Sequence, residues 1–409
     1  MRKYITIVFL AIGMMACNHP EEVKAPKSGQ WRGTIALNDS IDLPFIFEWN
    51  SKDSSMIIVN ASEKIEISKA EVFGDSIRFT IPVFANFLEV KADGEEMNGY
   101  FINPDAKDYR LPFHAFYGDY KRFNISDSNC CDINEKWAVK FSPGTDEDEP
   151  AIAYFEQEDS HVTATFLTET GDYRFLEGVL TGDKLMLSAF DGAHLFYFDG
   201  VISSGQKIEG RFFSGRSYFT TWVGYRNDSF ELRNPDSLTY LKEGYEAFGF
   251  SFKDIEGNVV SLEDEQFKDK PVIVQIMGSW CPNCMDESRY LTEVYKQYHK
   301  DGLEIIGLSF ERTHDWEMAE ERVAKMKTDI GIPYTVLVAG ATRDDKAANL
   351  LPSLNHIMSY PTAIYLNRDH SIRKIHTGFS GPGTPVYKTY VEKNKNVIEQ
   401  MVYDEPSES

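Results

Sequence analysis

Two cysteines separated by two residues, Cys281 and Cys284, stand in Trp280-Cys281-Pro282-Asn283-Cys284, just after the apolar run Val272-Ile273-Val274-Gln275-Ile276-Met277. Thiols at that spacing interconvert between dithiol and disulfide, and can pass the oxidised state to another protein through a mixed disulfide. The other common use of such a pair is zinc, which needs two further ligands at defined spacing. No second cysteine pair and no His-x-x-x-His follows, so no metal is assigned.

The element that must position these sulfurs is a strand-to-helix junction. A helix is expected from about Pro282 to His299, with Tyr290, Leu291, Val294, Tyr295 and Tyr298 as its apolar stripe. Pro282 in the first turn loses no needed donor. At the helix mouth Cys281 meets unpaired backbone N–H groups and the positive end of the macrodipole, and both favour the thiolate. Cys284 lies on the same face, close enough for a short-ring disulfide. Cys281 is therefore the attacking sulfur and Cys284 the resolving one.

The flanking sequence alternates strands with helices. Phe250 to Val260 reads as a hairpin turning at Glu256-Gly257-Asn258, and Leu303 to Ser309 as a buried strand. Trp316, Ala319, Val323 and Met326 mark the inner face of a second helix. Tyr334–Val338, Thr362–Leu366 and Ile372–His376 are strand-like, and Val386 to Val402 closes with a helix. The order, βαβ then αββα, is that of a thioredoxin fold.

On Gly278-Ser279-Trp280-Cys281-Pro282-Asn283-Cys284, Glu287, Gly302-Leu303-Glu304-Ile305-Ile306, Tyr360-Pro361-Thr362 and Gly378-Phe379, residues from about 246 to 400 resemble the TlpA/ResA-like branch of thioredoxins. These are exported bacterial thiol-disulfide oxidoreductases. The resemblance implies that Pro361 is cis and faces the cysteine pair, and that the backbone just before it pairs with a substrate peptide. Trp280, Pro282, Tyr360 and Pro361 become the substrate-contacting residues. Many thioredoxins carry a buried Asp six residues before the first cysteine; here that residue is Gln275, which cannot titrate. In the TlpA/ResA branch a Glu three residues after the second cysteine lies near the thiols, which makes Glu287 the candidate for tuning or relaying protons. The alternative for Glu287, beside Asp286, is a solvated helix carboxylate.

The rest of the chain frames this domain. With 409 residues, two or three domains are expected. From Trp31 to about Asp228 the pattern has period two, as in Ile65-Glu66-Ile67, Ile77-Arg78-Phe79-Thr80-Ile81 and Leu195-Phe196-Tyr197-Phe198. Turn signals recur at Asp93-Gly94, Gly182-Asp183, Asp191-Gly192 and Asp199-Gly200, which marks antiparallel β structure, barrel or sandwich. The region also reads as a duplication. Trp31 answers to Trp137, Pro44 to Pro150, Gly74-Asp75 to Gly182-Asp183 and Gly99 to Gly210. Two small barrels and two halves of one remain open alternatives. The fold class is thus multidomain: N-terminal all-β antiparallel units at 30–125 and 132–228, and a C-terminal α/β thioredoxin fold at 246–402.

The N-terminus reads as an export signal. Arg2 and Lys3 precede an apolar stretch, Tyr4 to Met15, that is too short to span a bilayer. Residues 1–17 end in Met14-Met15-Ala16-Cys17, which resembles a bacterial lipobox with Cys17 lipidated; a plain cleaved signal with an incidental cysteine is the alternative. Residues 18–29 read as a tether. The expected location is the cell envelope, facing the periplasm. Asn18 rather than Asp after Cys17 favours the outer membrane over the inner. A net charge of −22 excludes nucleic acid as a partner and leaves the lipid anchor as the means of membrane contact.

These readings converge on a disulfide oxidoreductase that reduces disulfide-containing exported proteins. It needs no bound cofactor, since the thiols carry the electrons, and is renewed by an electron donor outside the sequence. One alternative has the β units bind a peptide or small apolar ligand, with the redox domain acting on that cargo. Another is a thiol peroxidase, which expects Thr/Ser-x-x-Cys where this chain has Gly278. Cys130-Cys131 read as incidental linker residues, His356 as a surface or core residue near Pro361, and Asp146-Glu147-Asp148-Glu149 as a solvated loop. The aromatics of 31–228 read as core rather than ligand cavity.

Overall fold

The computed structural model describes residues 25–73, 75–118, 121–126, 131–341 and 349–404; the leader with Cys17, Gly74 and Cys130 lie outside them. Nine strands, from β1 (Gly29–Asn38) to β9 (Tyr109–Tyr117), form one antiparallel sheet. Eight more, from β10 (Glu135–Phe141) to β17 (Tyr218–Arg226), close into a barrel.

The duplication is visible in equivalent atoms. Trp31 Nε1 donates to the carbonyl of Lys27 and Trp137 Nε1 to that of Ile133, each at 3.0 Å. Thr34 lies opposite Pro44 as Lys140 lies opposite Pro150. Gly99 and Gly210 both sit where a Cβ would strike a carbonyl of the neighbouring strand, Glu89 and Asp199 respectively. The units differ at one place. In the first, β3 (Ser55–Asn60) pairs with an extra strand, β4 (Glu63–Ile67), which does not pair with β5 (Glu71–Phe73), and the sheet stays open. In the second, β12 (His161–Thr168) pairs directly with β13 (Leu176–Thr181) and the barrel closes. The stretch 169–175 between them keeps one bridge to β12, Asp172 to Leu167, and extends from there toward the C-terminal domain.

One turn signal is misleading. Asp199-Gly200 lies inside β15 (Leu195–Ser203) rather than at its end. A Cβ on Gly200 would stand 2.8 Å from Ile208 and 3.1 Å from the Trp222 ring. The glycine makes room for a tryptophan in the core, not for a reversal of the chain. Aromatics fill the barrel: the Phe166–Phe198 and Phe198–Phe212 rings stack at 4.6 and 4.2 Å. The two β units are clamped by buried Arg122, which donates to the carbonyl of Val59 at 2.6 Å, to Glu177 at 2.9 Å and to Ser188 Oγ at 3.2 Å.

The C-terminal sheet has β20 (Val272–Met277) at its centre. It runs parallel to β21 (Glu304–Glu311), which is parallel to β22 (Thr335–Ala341), and antiparallel to β23 (Thr362–Leu366), which pairs with β24 (Ile372–Thr377). The hairpin β18 (Ser251–Asp254) and β19 (Val259–Ser261) extends the far edge. Both faces of β20 are covered, so every residue of the strand is buried and period two disappears from it. Ile273 and Met277 pack with residues of α1 (Pro282–Tyr298), α2 (Trp316–Ile330) and α3 (Tyr387–Tyr403), while Val272, Val274 and Ile276 face Phe248, Phe250 and Leu351. Gln275 shares the first face and so meets α1.

Candidate redox site

β20 delivers the chain to a short turn, and Cys281 becomes the N-cap of α1 with extended backbone. Its Sγ accepts the N–H of Cys284 at 3.2 Å, taking one of the donors that a helix start leaves unpaired. The same sulfur donates to the carbonyl of Tyr360 at 3.3 Å, and the Tyr360–Pro361 bond is cis. The strand–helix junction and the Tyr360-Pro361 loop, some eighty residues apart in sequence, therefore meet at one atom. Neither cysteine is bridged; Cys281 is 6% exposed and Cys284 fully buried. Burial, the bond with Cys281 and the nearby Glu287 push the Cys284 thiol well up, so it keeps its proton until something takes it.

Glu287 is fully buried, not a solvated carboxylate. Burial raises it to about 8, against the small opposing effects of Gln275 and Lys374. Gln275 Nε2 donates to Glu287 Oε2 at 2.9 Å and to the Cys284 carbonyl at 3.3 Å, while its Oε1 accepts from Ser288 at 3.0 Å. Gln275 is thus an amide that holds the buried Glu287 carboxyl against α1. Among the described residues, Glu287 Oε1 has no hydrogen-bond partner.

Trp280 stacks edge-on against Tyr360 at 5.6 Å, donates to the Phe310 carbonyl at 2.9 Å and carries the Arg312 guanidinium 3.7 Å over its ring. Gly278 has no space for a side chain: a Cβ there would lie 2.3 Å from the Trp280 indole and 2.9 Å from the Phe310 carbonyl. The hydroxyl a thiol peroxidase expects cannot be accommodated at that position.

The barrel supplies residues that the sequence did not point to. Loop 169–175 lies along both halves of the site. The Thr170 carbonyl accepts from Ser359 Oγ at 2.5 Å, and the Asp172 carbonyl accepts from Asn283 Nδ2 at 3.1 Å. Asp172 Oδ2 accepts the Gly381 N–H at 2.6 Å; burial raises this carboxyl to about 6. Arg174, fully buried, pairs with Glu63 of the first sheet, Asp191 of the barrel and Asp286 of α1, and also donates to the Pro282 carbonyl. Burial alone would lower the guanidinium, but Asp286, Glu63, Asp191 and Asp172 outweigh it and hold it firmly charged. Burial keeps Glu63 above its ordinary range even against Arg174. The repeat offset rises from 106 at Pro44 to 108 at Gly74, a span that contains this loop, but it rises again to 111 at Gly99 and so does not single the loop out.

Cys281 opens onto a cleft of about 780 Å³ walled by all three parts of the chain. The first sheet contributes Val83–Asn86 and Asn103–Asp105, the barrel contributes its Tyr173, Phe196, Phe212 and Tyr218 end, and the C-terminal domain contributes Trp280, Arg312 and Tyr360. Arg322 of α2 pairs with Asp105, and Asp329 accepts the Val83 N–H at 2.7 Å, which ties the first sheet to α2. Glu149, read from sequence as part of a solvated loop, starts β11 (Glu149–Glu158) and lines the cleft; Asp146, Glu147 and Asp148 are exposed. Cys131 packs against the barrel core, and its carbonyl accepts from Gln157 at 3.2 Å. His356 is not among the cleft residues.

Residues 244–375 match the AhpC/TSA family. Thiol-disulfide oxidoreductase ResA of Bacillus cereus is 27% identical over 161 residues, 39% of this chain and 78% of the relative. Thioredoxin-like protein YneN of Bacillus subtilis is 28% identical over 138 residues, 34% of this chain and 73% of the relative. Among solved structures, the thioredoxin domain of a thiol-disulfide oxidoreductase from Bacteroides vulgatus is 27% identical, with 38% of this chain and 99% of that one covered and a TM-score of 0.29. With the cysteine pair at the head of α1 and the cis-proline loop against it, the C-terminal domain is a thiol-disulfide oxidoreductase domain of the TlpA/ResA-like branch of the thioredoxin family.

Proposed function

We propose that the chain reduces disulfides of exported proteins through a Cys281–Cys284 dithiol, anchored to the cell envelope through lipidated Cys17 and facing the periplasm. The observation that carries the chemistry is the position of Cys281 Sγ, which takes the Cys284 N–H at the helix mouth and reaches the Tyr360 carbonyl beside Pro361. Cys281 as thiolate attacks one sulfur of the substrate; its bond to Cys281 forms, the substrate S–S bond breaks, and the other sulfur leaves and is protonated. Cys284 then gives its proton to Glu287, attacks Cys281 and releases the second substrate thiol. The products are a Cys281–Cys284 disulfide and a reduced substrate, two electrons having passed. An external dithiol donor restores the pair.

The direction of transfer is tested by the reduction potential of the full chain, measured by equilibration with a thiol redox buffer. A value around −270 mV or lower supports a reductant, while one near about −120 mV reverses the assignment. Envelope attachment is tested by labelling cells with a radioactive fatty acid: Cys17→Ala should abolish incorporation, and a wild-type chain that takes up no label overturns the anchor.

A further inference from the structure

The redox cysteine does not face open solvent. The barrel loop is pinned across Asn283 and Ser359, and the first sheet is tied to α2, so among the described residues Cys281 opens onto the three-walled cleft. A cleft of about 780 Å³ admits a narrow ligand and not the face of a globule. Across it from Trp280 stands the end of the barrel, where Tyr173, Phe196 and Phe212 lie within 5.2–5.5 Å of one another and Tyr218 adds its ring 5.8 Å from Phe212. Tyr218 is 45% exposed. Tilted and edge-to-face rings at a barrel mouth, lining the same cleft as a nucleophilic sulfur and reachable from solvent at Tyr218, make an apolar side-chain subsite.

Resting on the dithiol reading above, we propose that this aromatic barrel mouth binds the apolar residue beside the half-cystine of an extended peptide, so that the β units select the disulfide that Cys281 attacks. The occupant is a cystine in an unfolded, extended peptide segment. The exchange is the balanced two-step reaction already described, with dithiothreitol as the dithiol donor in the assay.

The test uses the full chain with two short cystine peptides that differ only in Phe or Gly beside one half-cystine, followed by chromatography of the reduced product. The wild-type chain is expected to favour the Phe peptide at least about tenfold in kcat/KM. Tyr218→Ala, which removes one ring, and Ser214→Trp, which fills the mouth, should each bring that ratio to within about twofold of unity. Both peptides are read on the same preparation, so any loss of folded protein cancels in the ratio. Reduction of both peptides at equal rates by the wild type, or a preference untouched by both variants, overturns the subsite while leaving the dithiol chemistry standing. A folded protein with an exposed disulfide reduced as efficiently as the Phe peptide also overturns it. Failure to reduce any disulfide removes the dithiol reading and the subsite together.

Discussion

Arg174 of the barrel loop is ion-paired through Nη1 with Oδ2 of Asp286, two residues past Cys284 on α1. The guanidinium also holds Glu63 and Asp191, so one side chain ties the redox helix to both β units. A buried cation is tolerable only with such partners.

Removing that cation should therefore cost more than losing contacts. Arg174→Met leaves Glu63 buried without its cation, and leaves Asp286 and Asp191 only the more exposed Arg289 and His194, so a loss of about 3–5 kcal/mol is expected in urea unfolding. Arg174→Lys should recover little, because one ammonium cannot face three carboxylates arriving from different directions. A variant as stable as the wild type would show that the three parts are held together elsewhere.

In the proposed reaction the two sulfurs have separable roles. Cys281→Ser is expected to abolish disulfide reduction. Cys284→Ser should instead accumulate a covalent adduct with substrate, visible by mass spectrometry and released by dithiothreitol. Adduct formation by Cys281→Ser through Cys284 would reverse the order of attack.

In the proposed reaction Glu287 would link proton transfer to stability. Its carboxyl titrates near 4.5 when unfolded and at about 8 when buried. Between those values the folded chain keeps a proton that the unfolded chain has lost, so stability should fall as pH rises through that window and level off above it. Glu287→Gln should flatten the fall in Tm between pH 5 and pH 8.5. The resolving step should show the opposite trend, speeding up towards pH 8 as the carboxylate becomes available to take the Cys284 proton. Glu287→Gln should slow that step about a hundredfold and remove the limb. Parallel pH profiles for the two proteins would exclude the carboxyl from the transfer.

Gly171 sets how closely the loop approaches the site. Its φ is +148°, and a Cβ would stand 2.2 Å from Asn283 Nδ2, the atom that bonds Asp172. Gly171→Ala should break that bond, cost about 1–3 kcal/mol and raise the alkylation rate of Cys281 several-fold. An unchanged alkylation rate would mean that the loop does not shield the sulfur.

Much of this architecture was legible because local periodicity and tertiary demand agree. The strand Thr362–Leu366 has the bounds its apolar run suggests, and the helix from Pro282 ends at Tyr298, one residue short of expectation. The position of the cysteine pair was legible because the apolar strand before it and the amphipathic helix after it are both marked in the sequence. What escaped depended on contacts between units. Asp286 and Glu287 sit side by side on α1, where a single amphipathic stripe would leave one in water. The barrel covers the first and the sheet the second, so both are buried. Gly200 looked like a turn because a sequence does not show that Trp222 will occupy the space in front of it.

Chain order gives Arg174 a further consequence. Glu63 precedes it, and Asp191 follows within the same barrel, but Asp286 is separated from it by 112 residues. A ribosome that has made only the β units holds a guanidinium still short of its third carboxylate. Loop 169–175 then has neither Asn283 nor Ser359 to lie against. The barrel mouth is completed only when the last third of the polypeptide arrives, so a truncated chain would present those aromatic rings to quality-control proteases while the finished one conceals most of them.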